Sequence, residues 1–163
     1  MKKYYLAYGS NLNMAQMTYR CPNAKALGIA TIPDYELLFK GSKTGSYLTI
    51  EKKDGSSVPV GVWEVDARDE AALDRYEGFP TFYYKKDIEV ELDEFGVDRL
   101  KKINAFVYIM HEERPVGVPT KHYMSVCMSG YDDFGFDVDT LYNAYNESVS
   151  RCELPDDEWL DDF

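Results

Sequence analysis

Basic residues are in deficit: 18 Lys and Arg stand against 29 Asp and Glu, a formal net charge of −11 over 163 residues. A nucleic-acid backbone needs a basic surface to displace its counterions, so nucleic acid is not an expected partner, and an anionic membrane surface is disfavoured for the same reason. Long apolar runs are missing as well. The run after Met1-Lys2-Lys3 stops at Gly9-Ser10-Asn11 without a small-residue cleavage pattern, unlike a signal peptide, and no stretch reaches the ~20 apolar residues of a membrane span. Cysteine is limited to Cys21, Cys127 and Cys152. Odd in number, widely spaced and without a Cys-X-X-Cys pair, they fit free thiols in a reducing cytoplasm, the expected location. The histidines, His111 and His122, lack the His-Glu-X-X-His spacing of a zinc helix, and no Gly-X-Ser-X-Gly elbow surrounds Ser10. No metal site is expected, and Cys127 reads as a packed core residue rather than a nucleophile.

What is present points to one domain over residues 1–154, followed by an acidic tail, 155–163, in which Trp159, Leu160 and Phe163 interrupt the charges. Tyrosine is plentiful, 14 residues, as expected where amphipathic rings line a barrel, cleft or interface. Tyr4–Tyr8 reads as a first strand and Asn13–Tyr19 as a short helix, with Asn13 as cap and Gln16 placed to reach back to it. Residues 24–39 read as two short strands broken at Gly28, Pro33 and Asp34. Tyr47–Ile50 and Val58–Val65 flank Asp54-Gly55, the signature of a hairpin tip. Ala67–Glu77 is the best-specified helix: Asp66 caps it, Asp69 and Glu70 sit in its first turn, Gly78 suits a left-handed stop and Pro80 forbids continuation. Phe82–Leu92 and Ile103–Met110 read as strands joined around Glu94–Asp98, and 111–120 as a stiff loop. Lys121–Ser129 reads as a helix ending at a Gly130–Gly135 break, and Val138–Arg151 as a closing helix. Strands followed by helices give an α+β class.

Two places carry chemistry. A strand that turns through Gly9-Ser10-Asn11 into a helix leaves backbone N–H groups without intrahelical partners, a natural grip for a carboxylate or a developing oxyanion, with Ser10 and Asn11 as side-chain donors. A merely capped turn has the same spelling. Glu77 shares a helical face with Leu73 and Tyr76, so its carboxylate sits beside the apolar stripe, and in the last turn it also opposes the macrodipole. Apolar surroundings raise a carboxylate pKa and make a better general base, whereas a frayed helix end would place Glu77 in water.

Tyr8-Gly9-Ser10-Asn11-Leu12, then Leu73-Asp74-Arg75-Tyr76-Glu77-Gly78, then Pro119-Thr120-Lys121-His122-Tyr123 leading to Cys127-Met128-Ser129-Gly130, occur in that order, with Val60-Gly61-Val62-Trp63-Glu64-Val65 before the second block. In this the chain resembles the gamma-glutamylcyclotransferase family over roughly residues 3–145. The resemblance implies a small mixed β-barrel with surrounding helices, a cavity at one end, and release of a γ-glutamyl group as 5-oxoproline without metal or organic cofactor. It implies Glu77 as the proton acceptor, and Tyr8, Gly9, Ser10, Asn11, Leu12, Asn13 and Tyr123 as substrate-binding residues. Asn13 departs from the apolar residue often found there. Residues 79–84 and 111–120 are the expected leaving-group side. The implied partner is a small γ-glutamyl substrate, with the chain a monomer or a homodimer. A γ-glutamylamine cyclotransferase, or a non-catalytic binder of the same fold, fits the same residues.

Overall fold

The computed structural model describes residues 1–42 and 44–152; the acidic tail expected over 155–163 lies outside the described residues. The elements, in order, are β1 (Lys3–Ala7), a single 3-10 turn (Ser10–Leu12), α1 (Met14–Arg20), β2 (Lys25–Lys40), β3 (Tyr47–Val65), α2 (Ala67–Glu77), β4 (Tyr83–Glu94), β5 (Lys101–Met110), α3 (Lys121–Phe134) and α4 (Asp139–Arg151). The strands close into a barrel in the order β1-β3-β2-β4-β5. β1 is antiparallel to β3, with Tyr5 opposite Trp63, and parallel to β5, with Tyr5 opposite Phe106. One parallel pair therefore completes a mixed barrel, and the α+β expectation holds.

The barrel is held by its interior. Leu6, Phe39, Leu48, Ile50, Val60, Val62, Leu92 and Val107 are fully or almost fully buried. Each such side chain contributes roughly 1.5–3 kcal/mol of transfer free energy. In β4 the buried Val90 and Leu92 alternate with exposed acids, the pattern of a strand with one wet face, whereas Ala105–Met110 of β5 is buried at every position. Among the described residues no helix is long and apolar enough to cross a membrane.

Three local expectations are corrected. The stretch read as two strands over 24–39 forms one, Lys25–Lys40; the register shifts between Ala26 and Gly28 and between Pro33 and Tyr35 are irregularities within it rather than its ends. Asp54-Gly55 is not a hairpin tip. Tyr47–Ile50 and Val58–Val65 both pair with β2, and the register passes from Pro33 opposite Ser57 to Tyr35 opposite Lys52, so residues 53–56 bulge out opposite Asp34. Asp34, itself at φ 61, accepts a hydrogen bond from the Gly55 N–H at 3.0 Å. A turn-favouring dipeptide marks where backbone bends but does not choose the strand's partner. Finally, α3 does not break at Gly130 but runs on to Phe134 and stops at Gly135, which is left-handed. A Cβ at position 130 would lie 2.6 Å from the Asn13 nitrogen and 2.8 Å from the Leu12 carbonyl carbon. Glycine there lets α3 lie directly on the Leu12-Asn13 backbone and so sets the height of the turn above the barrel.

Candidate active site

The end of β1 turns sharply at Gly9 into the 3-10 turn, and Asn13 then caps α1 by accepting the Gln16 N–H. Across the barrel mouth lies the last turn of α2. Its start is fixed by a capping box between Asp66 and Asp69, its stop by Gly78 at φ 64. The caps fix where the helix starts and stops, and the fully buried Leu73 fixes which face it turns to the barrel, and with it the direction in which Glu77 emerges. Between turn and helix end is a cavity of about 180 Å³. That is below the range of drug-sized pockets and suits an amino-acid-sized group.

Tyr8, Gly9, Ser10, Asn11, Glu77 and Tyr123 all line this cavity. Leu12 and Asn13 do not. The Leu12 side chain is fully buried and packs toward Gly61 and Gly130, while Asn13 is spent on the cap and on the Val126 carbonyl. The backbone donors are also fewer than the sequence implies, since the Leu12 N–H is committed to the Gly9 carbonyl at 3.0 Å and the Asn13 N–H to the Ser10 carbonyl at 3.0 Å. The amides of Gly9, Ser10 and Asn11 remain as the candidate donors. Gly9 leaves room for a ring as much as for a ligand: a Cβ there would sit 3.2 Å from the Tyr123 hydroxyl.

Most of the remaining lining was not singled out in the sequence. Tyr5, Tyr8, Tyr47, Tyr76, Tyr83, Tyr108 and Tyr123 make half of the 14 tyrosines into cavity wall, with Leu6, Leu48 and Phe82 between them. The abundance of tyrosine was the available signal. Their hydroxyls are mostly used to fix the wall itself. Tyr8 donates to the Tyr108 carbonyl at 2.7 Å, Tyr83 to the Leu48 carbonyl at 2.7 Å, and Tyr123 accepts the Leu48 N–H at 3.1 Å. Asn11 donates to the Tyr5 hydroxyl at 2.9 Å, and Ser10 and Tyr76 share a hydrogen bond of 2.9 Å. Burial pushes the hydroxyls of Tyr5, Tyr8, Tyr83, Tyr108 and Tyr123 above the ordinary tyrosine range, so all five stay neutral at physiological pH.

Arg20, also missed in the sequence, braces this arrangement from α1. Its guanidinium carbon lies 3.4 Å from the Tyr76 ring centroid, and it donates to the side chains of Asn11 and Gln16. One cation thus orients both Asn11 and the ring that holds Ser10.

Among the described residues Glu77 is the only acid in the lining, and no Lys, Arg or His accompanies it. Burial among the rings pushes its carboxyl up to about 8, against a downward pull from Arg20. It forms no hydrogen bond or salt bridge with any described residue. Its charge is felt by Tyr5, Tyr8, Tyr83 and Tyr108. A carboxylate without a partner, facing a cavity and poised near neutral pH, can take up and return a proton. Cys127 is buried, with its thiol pushed by burial up to about 12, which is no state for a nucleophile. Among the described residues no three His, Cys, Asp or Glu side chains gather as a metal site.

The family model described as "Gamma-glutamyl cyclotransferase, AIG2-like" matches residues 5–125. The chain is 29% identical over 161 residues to the gamma-glutamylcyclotransferase of Homo sapiens, covering 93% of this chain and 79% of that protein. It is 29% identical over 136 residues to the gamma-glutamylcyclotransferase of Bos taurus, covering 79% and 70%. A solved structure of a gamma-glutamyl cyclotransferase superposes with a TM-score of 0.74 at 24% identity, covering 96% of this chain and 90% of that one, and shares its fold.

Proposed function

Since this chain belongs to the gamma-glutamyl cyclotransferase, AIG2-like family, we propose that it converts a γ-glutamyl compound to 5-oxoproline and a free amine or amino acid, with Glu77 as general base. The substrate's α-ammonium enters beside Glu77, and the ionised carboxylate both holds it and accepts its proton. The freed amine attacks the γ-carbonyl carbon of the same molecule and closes a five-membered ring. Negative charge then develops on the carbonyl oxygen, where the amides of Gly9, Ser10 and Asn11 are the candidate donors; one lost donor of this kind typically costs ~3 kcal/mol in the barrier. The bond to the leaving nitrogen breaks as that nitrogen takes a proton from Glu77, and the restored carboxylate then relays the second proton of the ring nitrogen to the released amine, which departs as its ammonium while 5-oxoproline keeps one N–H. Nucleophile and electrophile are one molecule, so the tyrosine wall contributes by holding it folded.

The observation that carries this reading is the unpartnered Glu77 carboxyl, raised to about 8 in an otherwise uncharged cavity that also holds Gly9, Ser10 and Asn11. Incubation of the purified protein with γ-glutamyl-alanine tests it. Release of 5-oxoproline and alanine in equal amounts is expected; saturable binding without product would instead mean a binding protein of the same fold.

A further inference from the structure

Among the described residues the cavity lining provides one acid and no cation, yet a γ-glutamyl substrate whose leaving group is an amino acid or peptide brings two carboxylates. One belongs to the glutamyl head. The other belongs to the part released, and a cavity of about 180 Å³ leaves that part at the mouth. We infer that Arg114 recognises the leaving group's carboxylate there and so selects γ-glutamyl amino acids and peptides over γ-glutamyl amines. The inference rests on the cyclotransferase reading.

Arg114 is stacked on the cavity wall. Its guanidinium carbon lies 4.5 Å from the centroid of Phe82, and Phe82 lines the cavity. The Phe82 ring stands edge-on to Tyr47 at 6.3 Å, and Tyr47 edge-on to Tyr123 at 5.1 Å, so an unbroken file of rings leads from Arg114 to the interior. The loop carrying it is held on both sides. The His111 ring donates to the Pro80 carbonyl at 2.7 Å, the Arg114 N–H to the His111 carbonyl at 3.2 Å, and the Gly41 N–H to the Pro115 carbonyl at 2.8 Å. Lys40 ties down the Glu112 carbonyl at 2.7 Å.

The charge on Arg114 is also uncommitted. In a chain with 29 acids, this half-buried arginine makes no salt bridge to any described residue, whereas Lys40, Lys85 and Arg151 are all paired. Glu112, two residues before it, is taken by the Tyr84 hydroxyl at 2.5 Å, and the adjacent Glu113 is exposed. Arg20, the other arginine stacked on a lining ring, is occupied by Asn11 and Gln16. A guanidinium whose face rests on a ring keeps its N–H edge free for a carboxylate. A neutral amine offers that edge nothing, and a cationic amine is repelled.

The test is kinetic: kcat and KM for γ-glutamyl-alanine and γ-glutamyl-ethylamide, in the wild type and in Arg114→Gln. The wild type is expected to prefer γ-glutamyl-alanine. Arg114→Gln is expected to lower that preference, the ratio of the two kcat/KM values, about tenfold through KM, the order of one hydrogen-bonded charge. Arg114→Lys is expected to recover part of it. An equal loss on both substrates, an unchanged ratio, or a wild-type preference for the ethylamide would overturn the inference. If the wild type releases no 5-oxoproline from either compound, the cyclotransferase reading has failed, and calorimetric binding of the same compounds decides the role of Arg114. Weaker binding of γ-glutamyl-alanine alone in Arg114→Gln supports it, and any other pattern removes it.

Discussion

Glu70 and Glu77 lie on the same helix, about two turns apart, in opposite electrostatic circumstances. Glu70 is gripped by Lys85 at 2.7 Å and by Lys3 at 3.0 Å. Burial pushes its carboxyl up, but the bonds from those two lysines outweigh burial and hold it below the usual carboxylate range. Glu77 is surrounded by rings instead of cations, and the same desolvation, left uncompensated except by Arg20, raises it to about 8. Both penalties come from α2 packing on the barrel; only the supply of partners differs. A carboxylate with two cations is a fastener, and one with none beside a cavity is available for proton transfer.

The largest effect that separates them is on turnover. Glu77→Gln keeps the shape and removes the basicity, and a positioned general base contributes on the order of 10²–10⁴ in rate. A loss in kcat of about 10³-fold is expected, with the far-ultraviolet dichroism unchanged. Glu70→Gln is expected to keep kcat within about twofold, since its carboxylate faces lysines outside the cavity. If the two variants lose activity alike, α2 is being damaged as a whole and the contrast between its acids collapses.

Next in size is the pH dependence, where the two acids carry opposite signs. The Glu77 carboxyl titrates near 4.5 when unfolded and near 8 when folded. Between those values the unfolded chain has released a proton that the folded one retains, so Glu77 makes stability fall as pH rises from about 4.5 to about 8. Below that window the residue costs nothing, and above it the full penalty applies. The melting temperature of Glu77→Gln should therefore match the wild type near pH 4.5 and exceed it increasingly toward pH 8. The same ionisation should make wild-type kcat/KM climb through pH 8. A melting difference independent of pH would place Glu77 in water.

That Glu77 shares the Leu73 face of α2 was legible in the sequence for a local reason, while its place at a cavity was implied only by the family resemblance. Asp66, Gly78 and Pro80 fix both ends of α2, which fixes the face on which Leu73, Tyr76 and Glu77 fall. What was not legible depends on distant partners. Asp54-Gly55 has the spelling of a hairpin tip, yet β2 holds both flanking segments in one ladder and turns the dipeptide into a bulge. Gly130 reads as a helix break but serves close packing on Leu12-Asn13. Tyr8 and Tyr123 were named through the resemblance and Tyr76 by its helical face, but Tyr5, Tyr47, Tyr83 and Tyr108 were visible only as part of an excess of one residue type, because they come from β1, β3, β4 and β5 and nothing in their spacing joins them. Leu12 lies within a motif whose neighbours line the cavity, but a 3-10 turn rotates it inward to the core.

A smaller effect concerns the fastener. In Glu70→Gln the ties to Lys85 and Lys3 are lost, and a loss of about 1 kcal/mol in urea unfolding at pH 7 is expected for a partly exposed pair. Because the folded pKa of Glu70 is depressed, its stabilisation exists above the ordinary carboxylate range and disappears as pH falls through the folded value. The difference between Glu70→Gln and wild type should thus shrink on acidification. For Glu77→Gln it shrinks on acidification too, but with the variant, not the wild type, being the more stable protein at pH 8.

The mildest change tests whether the side of α2 facing the turn positions ligand or only supports the wall. Tyr76 is half of the bridge from α2 to the turn: its hydroxyl meets Ser10 at 2.9 Å while its ring lies under Arg20. Tyr76→Phe keeps the ring and the stack and removes one neutral hydrogen bond, worth about 1 kcal/mol or roughly fivefold in an equilibrium. If Ser10 is held by Tyr76 for the glutamyl head, KM for γ-glutamyl-alanine should rise by about that factor with kcat little altered. A fall in kcat with constant KM would mean that the bridge instead aligns the turn's amides in the transition state, and an unchanged pair of constants would reduce the bridge to support of the wall. In either failure the contrast between Glu70 and Glu77 survives, but the neighbour that places substrate beside Glu77 would have to be sought at Asn11 and Tyr5, the other hydrogen-bonded pair on the lining.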